Sequence, residues 1–165
     1  MWITRCSSAL LLIVVSAAKY VNGESTVDRV IINKAKRELF LMHADKVVKS
    51  YRVALGRNPV GPKTRQGDGK TPEGVYTISG RNAASAFHRA LRVSYPNAVD
   101  RAHTKKLRVA PGGDIMIHGL PNGQGHIGKV HLLTDWTEGC IAVTNAEIEE
   151  IWDLVRDGTR VEINP

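Results

Sequence analysis

A cysteine and a histidine stand 22 positions apart in the last third of the chain, each beside a glycine: His118 precedes Gly119, and Cys140 follows Gly139. A thiol becomes a good nucleophile when a base takes its proton, or when an electropositive site lowers its pKa from about 8.5. Gly139 permits backbone conformations closed to other residues, so a substrate carbonyl could approach the N–H groups of Gly139 and Cys140 as oxyanion donors. The pattern predicts acyl transfer by a cysteine nucleophile with a histidine base.

The chain has one other cysteine, Cys6, in an N-terminal segment with the pattern of a secretory signal peptide. Its uncharged run over residues 9–18 is shorter than the ~20 residues of a membrane-spanning helix. We predict a signal peptide over residues 1–23, export to the periplasm or cell envelope, and one domain over residues 24–165. Because exported proteins normally pair their cysteines, a lone Cys140 indicates a free reactive thiol or an intermolecular disulfide. A buried, inert cysteine is the other interpretation.

Net charge and histidine content give weaker evidence about function than the lone cysteine does. The formal net charge is +7, and removal of residues 1–23 deletes Arg5 and Lys19 to leave +5. Such an excess suits an anionic polymer, an anionic membrane surface or solubility alone, whereas export argues against nucleic acid. His126 and His131 lie in a Gly-rich connection that we predict to be mobile, so they compete poorly with His118 as the base. The spacings typical of zinc ligands are missing, and we expect neither a metal nor a cofactor.

The distribution of apolar residues predicts a mainly β domain with two short helices. The first helix is expected over residues 97–106, opened by Asn97 with Asp100 three places on. The second begins at a capping box formed by Thr144 and Glu147. Short apolar segments separated by polar turns predict strands over residues 27–33, 38–43, 47–55, 75–79, 90–95, 114–119 and 160–163.

Residues 57–74 hold three prolines and four glycines, which predicts a long surface loop. Loops of this length in a compact domain are often functional. We therefore expect the loop to border a substrate cleft, with Lys63, Arg65 and Lys70 available to bind substrate carboxylates. A solvated loop with incidental charge is the alternative.

The order of the motifs resembles that of a known family. Residues 117–119 (IHG) and 137–141 (TEGCI) resemble the signature of the L,D-transpeptidase catalytic domain (YkuD-type), a histidine-glycine pair followed by Ser/Thr-x-Gly-Cys. Residues 71–74 (TPEG) resemble the Thr-Pro-x-Gly element of that family. Residues 94–98 and 141–152 resemble its periplasmic murein branch. The resemblance extends over essentially all of residues 27–165.

The resemblance implies a β-sandwich-like fold with Cys140 as nucleophile and His118 as general base. It also implies that the backbone carbonyl of Gly119 orients the histidine, and Thr137 of the motif joins the expected substrate contacts. Many members of the family have a histidine directly before the Gly-Cys and an arginine or asparagine two residues after the cysteine. This chain has Glu138 and Ala142 there, so the acceptor preference stays open.

In the implied reaction the thiol attacks the third residue of a peptidoglycan tetrapeptide stem and releases the terminal D-alanine. The acyl group then passes to the amine of a second stem, giving a 3-3 cross-link, or to a lysine of an envelope protein. If water is the acceptor, the enzyme is an L,D-carboxypeptidase or another hydrolase of the same class of bonds. A non-catalytic wall-binding module is the remaining alternative.

Overall fold

The computed structural model describes residues 27–165, so the predicted signal peptide and Cys6 lie outside the described residues. The described part contains eight strands, two α-helices and one 3₁₀ helix: β1 (Arg29–Asn33), β2 (Glu38–His43), β3 (Lys46–Arg52), β4 (Gly74–Ser85), β5 (His88–Val93), α1 (Ala98–Leu107), β6 (Met116–His118), the 3₁₀ helix (Gly125–Leu133), β7 (Ile141–Ala142), α2 (Asn145–Leu154) and β8 (Arg160–Asn164). None of the helices in residues 27–165 has the length and apolar character needed to cross a bilayer.

The strands form one sheet in the order β3-β2-β1-β8-β4-β5-β6-β7. The long strand β4 pairs with β8 through its first residues and with β5 through its later ones, so it belongs to both halves of the sheet. Beyond β3, the chain bridges to the far edge through Ala54 opposite Ala142 and Gly56 opposite Thr137. The two edges therefore meet, and the sheet curls around an apolar core, in agreement with the predicted β-sandwich-like fold.

The core is built by strands whose alternate side chains point inward. Val30 and Ile32 of β1, Leu39 and Leu41 of β2, and Val161 of β8 are each fully or almost fully buried. Helix α2 closes one side of the core through Ile148 and Ile151, the apolar face that the sequence predicts.

Both predicted capping boxes are present. Asn97 accepts hydrogen bonds from the first-turn N–H groups of α1, and Asp100 reaches back to the backbone N–H of Asn97. Thr144 and Glu147 form the corresponding pair at the start of α2. These short side chains satisfy N–H groups that the first turn of a helix leaves unpaired.

Three features differ from the sequence-based expectation. Strand β4 extends to Ser85 rather than ending at Ser79, because its second half pairs with β5. The connection over residues 125–133 is a 3₁₀ helix rather than an irregular segment, with a kink at Gly128. Strand β7 has only two residues, too short to leave a pattern in the sequence.

Candidate active site

Hydrogen bonds of Thr137 hold the Gly-Cys bend in place, and the bend has room only for a glycine at position 139. The Thr137 hydroxyl accepts the Gly139 N–H (3.1 Å) and donates to the Cys140 carbonyl (2.8 Å). Gly139 has φ 133°, and a Cβ there would lie 2.5 Å from the Lys70 carbonyl oxygen. This position therefore requires glycine for both conformation and space.

The segment before Cys140 is also tied to the chain that follows β3. Thr137 N donates to Leu55 O (3.1 Å), and Arg57 N donates to Thr137 O (2.9 Å). Asp135 accepts the Leu55 N–H (2.9 Å) and binds the Arg37 guanidinium through both carboxylate oxygens. Hydrogen bonds to residues 55–57 therefore fix the segment that leads into the bend at Cys140.

His118 ends β6 and is 4% exposed. Its Nδ1 lies 2.7 Å from the carbonyl oxygen of Gly119. Because a carbonyl oxygen only accepts hydrogen bonds, Nδ1 must carry the proton of the neutral imidazole, which leaves Nε2 as the basic nitrogen. The predicted carbonyl of Gly119 is therefore in position to orient the histidine.

The register of two neighbouring strands places His118 and Cys140 on the same face. Strands β6 and β7 are parallel, with Ile117 opposite Ile141 and His118 opposite Ala142. Cys140, one residue before β7, comes opposite Met116, whose side chain points to the same face as His118 two residues on. Both side chains line one cavity of about 390 Å³. A second cavity, of about 290 Å³, also reaches Cys140 from the side of the 57–74 loop.

Burial favours the neutral forms of both Cys140 and His118. It raises the pKa of the Cys140 thiol, which a backbone hydrogen bond with Met116 opposes, and it lowers the pKa of His118. The thiol also donates to the Asp114 carbonyl at 3.5 Å. The structure therefore indicates a resting thiol and neutral imidazole. The Cys-His pattern alone predicts a thiolate well below pH 8.5, and this prediction omits the cost of desolvating the sulfur.

The four residues predicted to contact substrate lie in different environments. Lys63 lines the second cavity beside Cys140, but its side chain is 4% exposed and forms an ion pair with Asp68 (2.8 Å). Arg65 and Lys70 line neither cavity that contains Cys140. Thr137 lines the first cavity, although its hydroxyl is occupied by the two hydrogen bonds of the bend.

The 57–74 loop is organised by Asp68. Its carboxylate accepts from Lys63 Nζ and from the backbone N–H groups of Thr64, Arg65 and Lys70. Burial raises the pKa of Asp68, but these four donors outweigh it and lower the pKa to about 2. The role we assign to Lys63 is consequently support of the loop, whereas the sequence suggested a free cation for a substrate carboxylate.

We expect Lys63→Met to lower the free energy of unfolding by about 1–3 kcal/mol, because a buried carboxylate loses its charged donor. Arg65→Met, at an exposed neighbour in the same loop, should change it by less than about 0.5 kcal/mol. Urea unfolding at neutral pH measures both. Since the pKa of Asp68 lies below its ordinary value of 3.8, the ion pair contributes above about pH 4 and is lost as pH falls toward 2. The Lys63→Met deficit should shrink over that range, and a constant deficit would contradict this role.

Several residues that line the site were not identified from the sequence. Phe87 packs against the His118 ring at 4.6 Å between ring centres, and Trp136 does so at 5.8 Å in an edge-to-face arrangement. Asp114 and Glu138 line both cavities that contain Cys140. The sequence signal for Glu138 was its place within the cysteine motif, and the signal for Trp136 was its place directly before that motif. Phe87 enters through the β4–β5 turn, which carries no such signal.

His131 differs from the mobile surface histidine that the Gly-rich connection suggested. It is 8% exposed and lies in the 3₁₀ helix. Among residues 27–165 no group of three or more His, Cys, Asp or Glu side chains has the arrangement of a metal site.

Comparison with known proteins agrees with this fold. The sequence profile of the L,D-transpeptidase catalytic domain (YkuD) matches residues 27–163. YafK of Escherichia coli strain K12, a protein named provisionally as an L,D-transpeptidase, is 35% identical over 113 residues, which cover 66% of this chain and 37% of YafK.

Solved structures show the same architecture. The K307A mutant of the helical cell shape determining protein Pgp2 from Campylobacter jejuni aligns with a TM-score of 0.65 and 26% identity, over 85% of this chain and 47% of that one. L,D-transpeptidase 1 of Mycobacterium tuberculosis aligns with a TM-score of 0.52 over 86% of this chain and 62% of that one, and at 13% identity it supports the fold alone. This chain therefore spans about half of Pgp2 and just over a third of YafK. On the profile match, which covers nearly all of the described residues, the chain belongs to the L,D-transpeptidase catalytic domain (YkuD) family.

Proposed function

We propose that the chain is a cysteine-dependent peptidoglycan L,D-transpeptidase of the periplasm or cell envelope, with a tetrapeptide stem as acyl donor. The observation that carries the proposal is the placement of Cys140 and His118 on one face of the β6–β7 pair, in a shared cavity, with the basic Nε2 of the histidine unprotonated. Family membership supports peptidoglycan as the substrate. Pgp2, to which the chain is similar, is named as a determinant of helical cell shape.

In the first half-reaction the Cys140 sulfur attacks the carbonyl carbon of the third stem residue while Nε2 of His118 accepts the thiol proton. Because the resting pair is neutral, this proton transfer accompanies the attack. The Cys140 N–H is the first oxyanion donor. The Gly139 N–H can join it only by exchanging its hydrogen bond to Thr137. The tetrahedral intermediate collapses to a thioester, and the amine of D-alanine leaves with the proton from His118.

In the second half-reaction an amine attacks the thioester carbonyl, and His118 accepts the proton that the amine loses. The new amide forms as the thiolate leaves, and the imidazolium returns its proton to sulfur. Water in place of the amine gives the shortened stem, which is the carboxypeptidase reaction. Both outcomes use the same residues of this chain, so the acceptor decides between them.

Charge at the cysteine supports an amine acceptor. Asp114 and Glu138, which we call the acidic rim, line both cavities that reach Cys140. Their side chains are largely exposed and pair with Arg92 and Arg57, and exposed pairs of this kind are weak, so both carboxylates stay available to an incoming cation. The positive charge of Lys63 in the second cavity is balanced by Asp68. A protonated amine, from a second stem or a protein lysine, is therefore attracted to the mouth of the site.

The proposed function is tested by incubating the protein with a disaccharide-tetrapeptide and identifying the products by mass spectrometry. Transpeptidation gives free alanine and a dimer linked between third residues. Shortened monomers without dimers would reassign the enzyme to hydrolysis. An unchanged substrate would contradict catalysis on this stem.

The acidic rim gives a specific kinetic prediction. Glu138→Gln should raise the Michaelis constant for the amine acceptor roughly two- to fivefold, the size expected for one solvent-exposed charge interaction. The first half-reaction, followed by alanine release without an amine, should keep its rate. Asp45→Asn removes one charge from an exposed turn outside both cavities and is the matched control. Equal effects of the two substitutions would show that overall charge, not the rim, attracts the acceptor.

A further inference from the structure

The ring of Trp136 separates the catalytic cavity from a third cavity. Trp136 lines the cavity of about 390 Å³ that contains Cys140 and His118. It also lines a cavity of about 190 Å³ behind it, together with His131 and apolar residues that include Leu120 and Ile127. A change in the position of this one ring would alter the wall of the active site.

The same ring is held between two histidines. On one side it packs against His118 edge-to-face, with ring centres 5.8 Å apart and planes at 69°. On the other side it meets His131, with ring centres 6.3 Å apart and planes at 81°. The indole Nε1–H donates to His131 Nδ1 at 3.4 Å. The contacts form a continuous chain from His131 through Trp136 to the proposed general base.

The hydrogen bond determines the protonation of His131. An indole N–H only donates, so Nδ1 of His131 must accept, and in the neutral ring the proton is on Nε2. That Nε2 is buried and has no hydrogen-bond partner among residues 27–165. A buried donor without a partner is destabilising, so the buried imidazole of His131 has a cost for the fold as well as a benefit.

We propose that His131 is a positioning residue of the catalytic pair: by accepting the Trp136 N–H it fixes the indole ring, which holds the His118 imidazole in place. Phe87, 4.6 Å from His118, supports the imidazole as part of the same ring cluster. The Nδ1–H of His118 then keeps its hydrogen bond to Gly119, and Nε2 stays directed to the substrate side. A general base needs this fixed geometry to receive a proton in the transition state.

The turnover measurements rest on the proposed function. The alkylation measurements do not, because alkylation of Cys140 by iodoacetamide needs no substrate. We expect His131→Leu to slow alkylation at neutral pH and to lower kcat by about ten- to a hundredfold, with the Michaelis constant for the donor little changed. The melting temperature should change little, because the unpaired Nε2–H of His131 is removed while the Trp136 N–H loses its acceptor. A residue that only stabilised the fold would lower activity and melting temperature together.

Two further variants isolate the hydrogen bond. His131→Asn keeps an acceptor oxygen near the position of Nδ1 and should restore most of the alkylation rate. Trp136→Phe keeps a ring but removes the donor, so it should resemble His131→Leu, and the double variant should be no slower than the slower single one.

The alkylation rates and the product analysis test two different proposals. Alkylation of His131→Leu at the wild-type rate, additive losses in the double variant, or failure of His131→Asn to restore the rate would each overturn the positioning role. If the wild type forms no product from the muropeptide, the proposed function fails. The alkylation series would still decide the role of His131.

Discussion

Cys140→Ser should reduce turnover of a tetrapeptide substrate by roughly a thousandfold or more, with the fold unchanged. The site is built to activate sulfur, and a serine hydroxyl has a far higher pKa, so a buried neutral imidazole activates it poorly. Losses of at least this size are typical when a covalent nucleophile is removed. Steady-state release of alanine measures the effect.

The control for Cys140→Ser is a measurement of its stability, which shows whether the variant is folded. The side chain is partly buried, and its sulfur makes only weak hydrogen bonds, to the Asp114 carbonyl (3.5 Å) and with the Met116 backbone. The urea midpoint should therefore stay close to that of the wild type. Retained turnover in the purified variant would remove Cys140 from the reaction.

Gly139→Ala should affect both the fold and the reaction. An added Cβ would lie 2.5 Å from the Lys70 carbonyl oxygen and would force alanine into a φ of 133°. Backbone strain of about 1–3 kcal/mol and overpacking of similar size together predict a loss of about 2–5 kcal/mol in the free energy of unfolding. Displacement of the adjacent Cys140 should lower kcat about a hundredfold or more.

Gly158→Ala is the control for conformation alone. Gly158 has φ 85°, but apart from its chain neighbours no atom of residues 27–165 lies within 4 Å of the position that an added Cβ would take. The substitution should therefore cost about 1–2 kcal/mol and leave kcat unchanged. Equal destabilisation by the two substitutions would show that the contact with Lys70 does not matter. Normal turnover of Gly139→Ala would contradict the account of the bend.

The candidate catalytic residues could be identified, and the helix starts predicted, because their signals are local. His118-Gly119 and Gly139-Cys140 are neighbours in sequence, and each capping box spans only four residues. Compact apolar segments bounded by polar turns, such as β2, were also predicted within their observed bounds. In each case the sequence pattern and the final environment involve the same few residues.

The remaining features depend on partners far away in the chain. Lys34 belongs to a run of charged residues that predicts an exposed hairpin turn. It is 2% exposed, and its ammonium donates to Gly61 O, Thr71 O and the Glu73 carboxylate. Burial lowers the pKa of Lys34, and the Glu73 hydrogen bond opposes that shift. Its acceptors are at least 27 residues away, so no window of the sequence could reveal the environment.

The burial of His131 and Lys63 was not predicted, although the partner of each lies only five residues away. His131 was expected to be mobile because glycines surround it in sequence, whereas Trp136, directly before the cysteine motif, binds its ring. Lys63 was expected to bind substrate because it lies in an open loop, but Asp68 folds the loop over it. Local composition identified the loop and did not determine which side chains it buries.

We infer that Cys140 takes the acyl group of a peptidoglycan stem with His118 as its base. Intact-protein mass spectrometry of the wild type, His118→Ala and Cys140→Ser, each mixed with a disaccharide-tetrapeptide and quenched in acid within seconds, tests it directly. We expect a wild-type adduct with the mass of the substrate less alanine, mapped to Cys140 by peptide digestion. It should form far more slowly in His118→Ala and be undetectable in Cys140→Ser. Product release without an adduct on Cys140, or an adduct of the same mass on Cys140→Ser, would contradict the account.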